Sequence, residues 1–317
     1  MPPDHELARL MAGPGGYVFA FVLGALWGSF ANVCIYRMPP SEAHPRGRSV
    51  VHPPSHCPAC QTPIRWYDNV PIFAYAWLRG RCRACQAEFS PRYLLVEVVT
   101  AGLFAVAWWS AVGIPLQLGA TPGAAMLTFV VQAAFVVVMV VILFIDLDHR
   151  LILDRVTLPS VLGFYAAGLV LGRSWSVGMI GAAVGYGLVW TIAEVYYRVT
   201  GREGMGLGDG KLLAVIGALL GWRGVVFALF AGSVLGSVIG VAALAGRGRA
   251  RLGADAGADG APAGHGPIDE GGGDEGGSEP TSLRHVELPF GPFLAIAALF
   301  YLFAEPWLLV RLRLLAP

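Results

Sequence analysis

The chain is dominated by apolar runs of a length that fits membrane-spanning helices. Inside a bilayer every backbone N–H and C=O must be paired within the protein, so only helices and closed barrels cross it. A barrel strand needs about 9–11 residues and a helix about 20. The runs here are of the second kind: Tyr17–Tyr36, Leu94–Val112, Ala124–Ile145, Val156–Leu171, Val177–Tyr197, Lys211–Leu220, Val225–Ala245 and Phe290–Val310. Composition agrees, with 14% charged and 56% hydrophobic residues, where soluble domains carry about 25% charge. The expected fold is an all-α polytopic membrane protein with about eight transmembrane helices, and the lipid bilayer is its first partner. Lys211–Leu220 is short and glycine-bounded, so it reads as a half-helix or as one continuous with its neighbour. The first run is preceded by no basic stretch and continues into Asn32 and Arg37 without a small-residue cleavage site. It is expected to be a retained helix, not a signal peptide. A net charge of +1 gives no reason to expect nucleic-acid binding.

Cation placement orients the spans. Seventeen of the 22 Lys and Arg residues fall after spans one, three, five and seven, among them Arg37, Arg46, Arg79, Arg150, Arg198 and Arg247. Cytoplasmic loops collect such residues, so these connections are expected on the cytoplasmic side, with both termini outside. Five sections follow: a first helix (17–36), a polar cytoplasmic segment (37–93), a membrane domain (94–245), a loop (246–288) and a last helix (289–311). The loop has no aromatic residue from Ala250 to Pro280 and is rich in Gly, Ala, Asp and Glu. It cannot bury enough apolar surface to offset chain entropy, so disorder is expected there. Gly232, Gly236 and Gly240 repeat at four-residue spacing and read as a face for close helix packing.

The segment 37–93 contains two CxxC pairs, Cys57–Cys60 and Cys82–Cys85, separated by the residues Gln61–Arg81. Four thiolates presented by two such turns close a tetrahedral structural Zn2+ site. A cytosolic location disfavours two disulfides, and a bound ion would stabilise a domain too small for a core of its own. Cys34 is left over, and reads as a packed membrane cysteine.

Two carboxylates close apolar segments. Asp146 ends the run Val136–Ile145, and Asp209 lies in Gly206-Leu207-Gly208-Asp209-Gly210-Lys211. An ionisable group at membrane depth is costly and marks a functional site by default. Asp148, beside His149 and Arg150, competes with Asp146, but i and i+2 on a helix project to different sides, so only one can face a partner. Asp209 could instead be only the N-cap of a helix starting near Lys211. Taken together, Asp146 and Asp209 form a candidate pair that shares one proton: the ionised member activates a water for attack on a peptide carbonyl, which the protonated one polarises. The chain has no GxSxG or HExxH pattern for another hydrolytic chemistry.

These residues sit in stretches that resemble bacterial prepilin peptidases, integral-membrane aspartic peptidases that are often also N-methyltransferases. The matching stretches are Gly28–Val33, the two CxxC pairs, Asp68–Pro71, Ser90–Glu97, Ile145–His149, Gly201–Leu213 and Pro289–Ala295. The resemblance implies that Asp146 and Asp209 are the catalytic aspartates and that Cys57, Cys60, Cys82 and Cys85 hold the metal. It implies type IV prepilins and type II secretion pseudopilins as substrates, cleaved on the cytoplasmic side. It further implies methylation of the new N-terminal residue from S-adenosylmethionine, and Gly80 resembles a glycine associated with that step. Three alternatives differ in class or scope. One is a peptidase without methylation. A presenilin-like intramembrane protease is another, though its proline-alanine-leucine motif is not found here. The third is a proton-coupled transporter, which leaves both CxxC pairs without a role.

Overall fold

In a computed structural model, which describes residues 3–201, 206–258 and 289–315, the regular elements are helical and only isolated bridges occur besides. The helices are α1 (Pro3–Ala12), α2 (Pro14–Arg37), α3 (Phe73–Leu78), α4 (Arg92–Trp108), α5 (Ile114–Gln117), α6 (Pro122–His149), α7 (Asp154–Val170), α8 (Trp175–Thr200), α9 (Leu207–Ala258) and α10 (Gly291–Leu315). A wide π-turn, Trp109–Gly113, carries α4 into α5 without a break.

All eight apolar segments are helical, but the number of long spans needs correction. Among the described residues, five helices are long and apolar enough to cross a membrane: Pro14–Arg37, Arg92–Gln117, Pro122–His149, Trp175–Thr200 and Leu207–Ala242. The expected eight fall to five for identifiable reasons. Lys211–Leu220 and Val225–Ala245 are two helical pieces of α9 on either side of Gly221, whose non-helical backbone (φ 71°, ψ −177°) favours glycine, and together they fall within one apolar stretch, Leu207–Ala242. The helix α7 has only 17 residues with Pro159 inside it, and the last apolar helix is described as such only over Gly291–Glu305. The loop expected over 246–288 begins in the final turns of α9, and residues 259–288 lie outside the described residues.

The long helix α6 occupies the middle of the bundle. Thr121 caps it by accepting the Ala124 N–H, Pro122 opens its first turn, and Arg150 closes it in a left-handed conformation (φ 52°). Phe135, Val136, Met139, Val140 and Ile145 on this helix are almost wholly buried. Aromatic edges interlock along the bundle, as in Trp108 against Phe129 (centroids 4.9 Å apart) and Phe135 against Phe164 (5.2 Å). Outward-facing side chains such as Leu162, Phe230 and Phe300 are exposed and apolar, as a lipid-facing surface requires.

Small residues let helix pairs approach to backbone contact. On α2, a Cβ at Gly28 would lie 2.8 Å from Glu97 Cα of α4. Gly181 of α8 and Gly217 of α9 oppose each other, so that a Cβ on either would come within 2.2 Å of the other's carbonyl oxygen. Gly232 and Gly236 face Leu294 and Phe293 of α10. Helix association in lipid rests on such close packing.

The segment between α2 and α4 folds over the ends of those helices. Beyond the short turn Trp66–Asn69 and α3 it is held by two matching knuckles. In each, the N–H of the first cysteine donates to the carbonyl five residues on (Cys57 to Thr62, 3.0 Å; Cys82 to Ala87, 2.8 Å), and a glutamine N–H returns to that cysteine's carbonyl (Gln61, 2.9 Å; Gln86, 3.0 Å). Gln61 and Gln86 share a left-handed conformation (φ 59° and 60°). The repeat Cys-x-x-Cys-Gln is thus also a structural repeat.

Candidate active site

The carboxylates separated by 63 positions in sequence come together at one end of the bundle. Asp146 lies in the last turn of α6, is 5% exposed, and accepts the backbone N–H of Gly291, the first residue of α10. Asp209 lies in the first turn of α9, half-buried, near enough to Asp146 for the two carboxylates to interact electrostatically. It is not the cap residue: α9 starts at Leu207, so Asp209 is inside the helix, where the N-terminal dipole favours a negative charge. The link after α6 closes the site, with Ile152 packing against both Gly208 and Gly291.

Two neighbouring charges have other partners. Asp148 leaves the site and pairs with Arg92 at the start of α4 (2.5 Å); the same guanidinium donates to the Phe144 carbonyl (3.2 Å) and covers the Phe144 ring. Lys211 pairs with Asp154 at the start of α7 (2.5 Å). Asp146 therefore faces Asp209 without a cation inserted between them among the described residues. Gly291 is the residue that sequence reading placed in a motif without a role. A Cβ there would stand 2.5 Å from Asp146 Oδ2, so the absence of a side chain is what lets α10 reach the carboxylate. Residues 202–205 of the glycine-rich stretch lie outside the described residues.

The four cysteines also assemble. All four Sγ atoms lie within 4.8 Å of one another, with Cys57–Cys85 at 3.8 Å and Cys60–Cys82 at 4.0 Å. Four sulfurs around a tetrahedral ion at about 2.3 Å stand about 3.8 Å apart, so the set could hold a metal ion. Hydrogen bonding with Thr62 brings the Cys60 thiol down to about 6, and backbone N–H groups of Cys85 and Ala84 lower Cys82. At Cys85 the Ala87 N–H acts in the same direction, but contact with the other thiols outweighs it and pushes that thiol up to about 11. Cys34, buried in α2, is not a member of this set.

Gly80 precedes the second knuckle. Its φ of 68° and the Tyr75 hydroxyl, 2.7 Å from where a Cβ would stand, both require glycine. It lines a cleft of about 210 Å³ between this segment and the ends of α2 and α4. That cleft does not include Asp146 or Asp209.

Comparison with known proteins bears on both halves of the chain. Residues 22–111 match the bacterial peptidase A24 N-terminal domain, and residues 133–241 match the type IV leader peptidase family. A prepilin leader peptidase/N-methyltransferase of Myxococcus xanthus (strain DK1622) is 34% identical over 93% of this chain and 92% of its own length. Proteins of the same description from Aeromonas hydrophila (39% identical; 71% of this chain, 80% of the relative) and Neisseria gonorrhoeae (36%; 74% and 85%) are similar over most of their lengths. No solved structure matches.

Proposed function

The chain belongs to the type IV leader peptidase family, and from that membership and its paired carboxylates we propose that it removes prepilin leaders with Asp146 and Asp209 as the catalytic aspartates, then N-methylates the new terminus. The observation that supports this most is the convergence of a buried carboxylate from α6 and a second from α9. Two neighbouring carboxylates do not both ionise readily, so one proton is shared between them. The ionised member takes a proton from a water positioned between them, the water attacks the scissile carbonyl, and the protonated member donates a hydrogen bond to the developing oxyanion. Proton return to the leaving amine regenerates the pair. Gly291 N–H holds the Asp146 carboxylate in register.

Type IV prepilins and the related pseudopilins of type II secretion are the proposed substrates. The excess of arginine at the connections after α2, α6 and α8 supports a site facing the cytoplasm of a bacterial inner membrane,. There a pilin whose apolar helix is still in the bilayer presents its leader junction at the membrane surface. Cys57, Cys60, Cys82 and Cys85 would hold a structural Zn2+, and their spacing fits one; bound there, the ion would tie the two knuckles into one unit. S-adenosylmethionine is the proposed methyl donor. Purified enzyme in detergent with a synthetic prepilin tests the reading. Cleavage before the mature N-terminus, lost in Asp146→Asn and in Asp209→Asn, is expected, and full activity in either variant refutes the dyad.

A further inference from the structure

The polarity of residues 37–93 places this segment in water, yet α3 presents a surface that water does not suit. Ala74 and Leu78 line the cleft against the ends of α2 and α4. Phe73 and Trp77, one turn apart on another face, are 63% and 70% exposed, with their rings stacked. Trp66, in the turn beside α3, is 82% exposed. Large aromatics gathered on one short segment and left open mark a surface that meets something apolar.

The level at which α3 sits identifies what it meets. Its start is fixed by the Ile72 N–H, which donates to the Glu97 carboxylate (2.8 Å), and that carboxylate is also hydrogen-bonded to Ser29 of α2. Glu97 lies five residues inside α4, and Ser29 eight residues from the end of α2. At about 1.5 Å per residue they stand about 7 Å and 12 Å inside the helix ends. The outer sides of both helices are apolar and exposed there, as Phe30, Leu95 and Val98 show. The start of α3 is therefore level with the edge of the lipid layer. Its charge has one sign: residues 37–93 carry eight arginines against three acidic residues. Of the acids, Glu88 pairs with Arg81 and Asp68 with Arg83. Arg79, two residues after Trp77, is exposed and has no ion pair among the described residues. Indole rings beside arginines are the composition of a membrane–water interface.

We propose that α3 is an interfacial helix: Phe73 and Trp77 enter the leaflet at the ends of α2 and α4, and Arg79 meets anionic lipid headgroups. The four-cysteine segment is then held on both sides, by the helix ends through Ala74 and Leu78 and by the bilayer through the stacked rings. Neither the peptidase nor the methyltransferase reading is needed for this. A second copy of the chain could also cover the rings, but it would bring the same excess of arginines against these, whereas an anionic leaflet complements them.

The full chain in nanodiscs of phosphatidylethanolamine and phosphatidylglycerol provides the test, each lipid carrying in turn a photoactivatable diazirine in its acyl chain near the headgroup. After irradiation and digestion, label is expected on the peptide spanning Trp66 and Trp77 of the unaltered chain, as on the peptide bearing Leu95 of α4. Label at Leu95 without label on the first peptide overturns the proposal. Arg79→Gln is expected to lower the ratio of phosphatidylglycerol to phosphatidylethanolamine label on the first peptide by about fivefold, the scale of one cation at a charged leaflet. An unchanged ratio overturns the anionic preference. A benzophenone side chain in place of Trp77 identifies the occupant by the mass of its adduct. Lipid is expected; a crosslink to a second copy or to added prepilin in its place overturns the assignment to lipid.

Discussion

Gly291 gives the sharpest reading of the site at the scale of single residues. It donates its N–H to Asp146 and has no room for a Cβ, so Gly291→Ala must displace the carboxylate, the α10 backbone or both. A misplacement of about 1 Å costs on the order of 10²-fold in rate. The expected result is a drop of that size in kcat for prepilin cleavage with the melting temperature little changed; an unchanged kcat contradicts it. Asp148→Asn is the contrasting case. It removes a partly exposed ion pair with Arg92, worth about 0.2–1 kcal/mol of stability, so cleavage is expected to stay close to that of the parent enzyme. A loss as large as that of an Asp146 variant contradicts this. The two aspartates were legible in the sequence because a carboxylate ending an apolar run is anomalous locally. Gly291 was not, because its role arises from a contact 145 positions away. The N-cap alternative for Asp209 could be settled only by seeing α9 start two residues earlier.

At the scale of elements, the crossing of α8 and α9 is set by Gly181 and Gly217. Gly217→Val places atoms within 2.1 Å of the Gly181 carbonyl oxygen, and overpacking of this kind costs about 1–3 kcal/mol. A lowered melting temperature in detergent is expected. Gly187→Ala, where nothing lies within 4 Å, is expected to be neutral or slightly stabilising, since alanine is the better helix former. Equal effects of the two substitutions contradict the packing account. Apolar length identified the long helices but not the short α1, α3 and α5, because in lipid a long apolar run has few other ways to satisfy its backbone. Length did not give the number of long spans. Whether two runs join depends on the conformation of one residue between them, here Gly221, and composition does not encode it.

For the whole molecule, the chain reads as a membrane bundle with two neighbouring carboxylates at one end and a four-cysteine segment folded over the ends of α2 and α4. The CxxC spacing announced the four-cysteine cluster, since each knuckle is local in sequence. The cleft could not be read the same way, because its walls come from α2, α4 and the segment between them. Elemental analysis of the purified chain is expected to find about one zinc ion per molecule, with loss of the ion in Cys60→Ser or Cys82→Ser. Stoichiometric zinc in both variants contradicts a four-cysteine site. The central claim remains the pairing of Asp146 with Asp209 as the peptidase. Its most direct measurement is the cleavage rate of a purified prepilin by the parent enzyme and by folded Asp146→Asn and Asp209→Asn variants. The account requires each single substitution to lower the rate by about 10³-fold or more, as expected for members of one acid–base unit. Near-parental cleavage by either variant would contradict it.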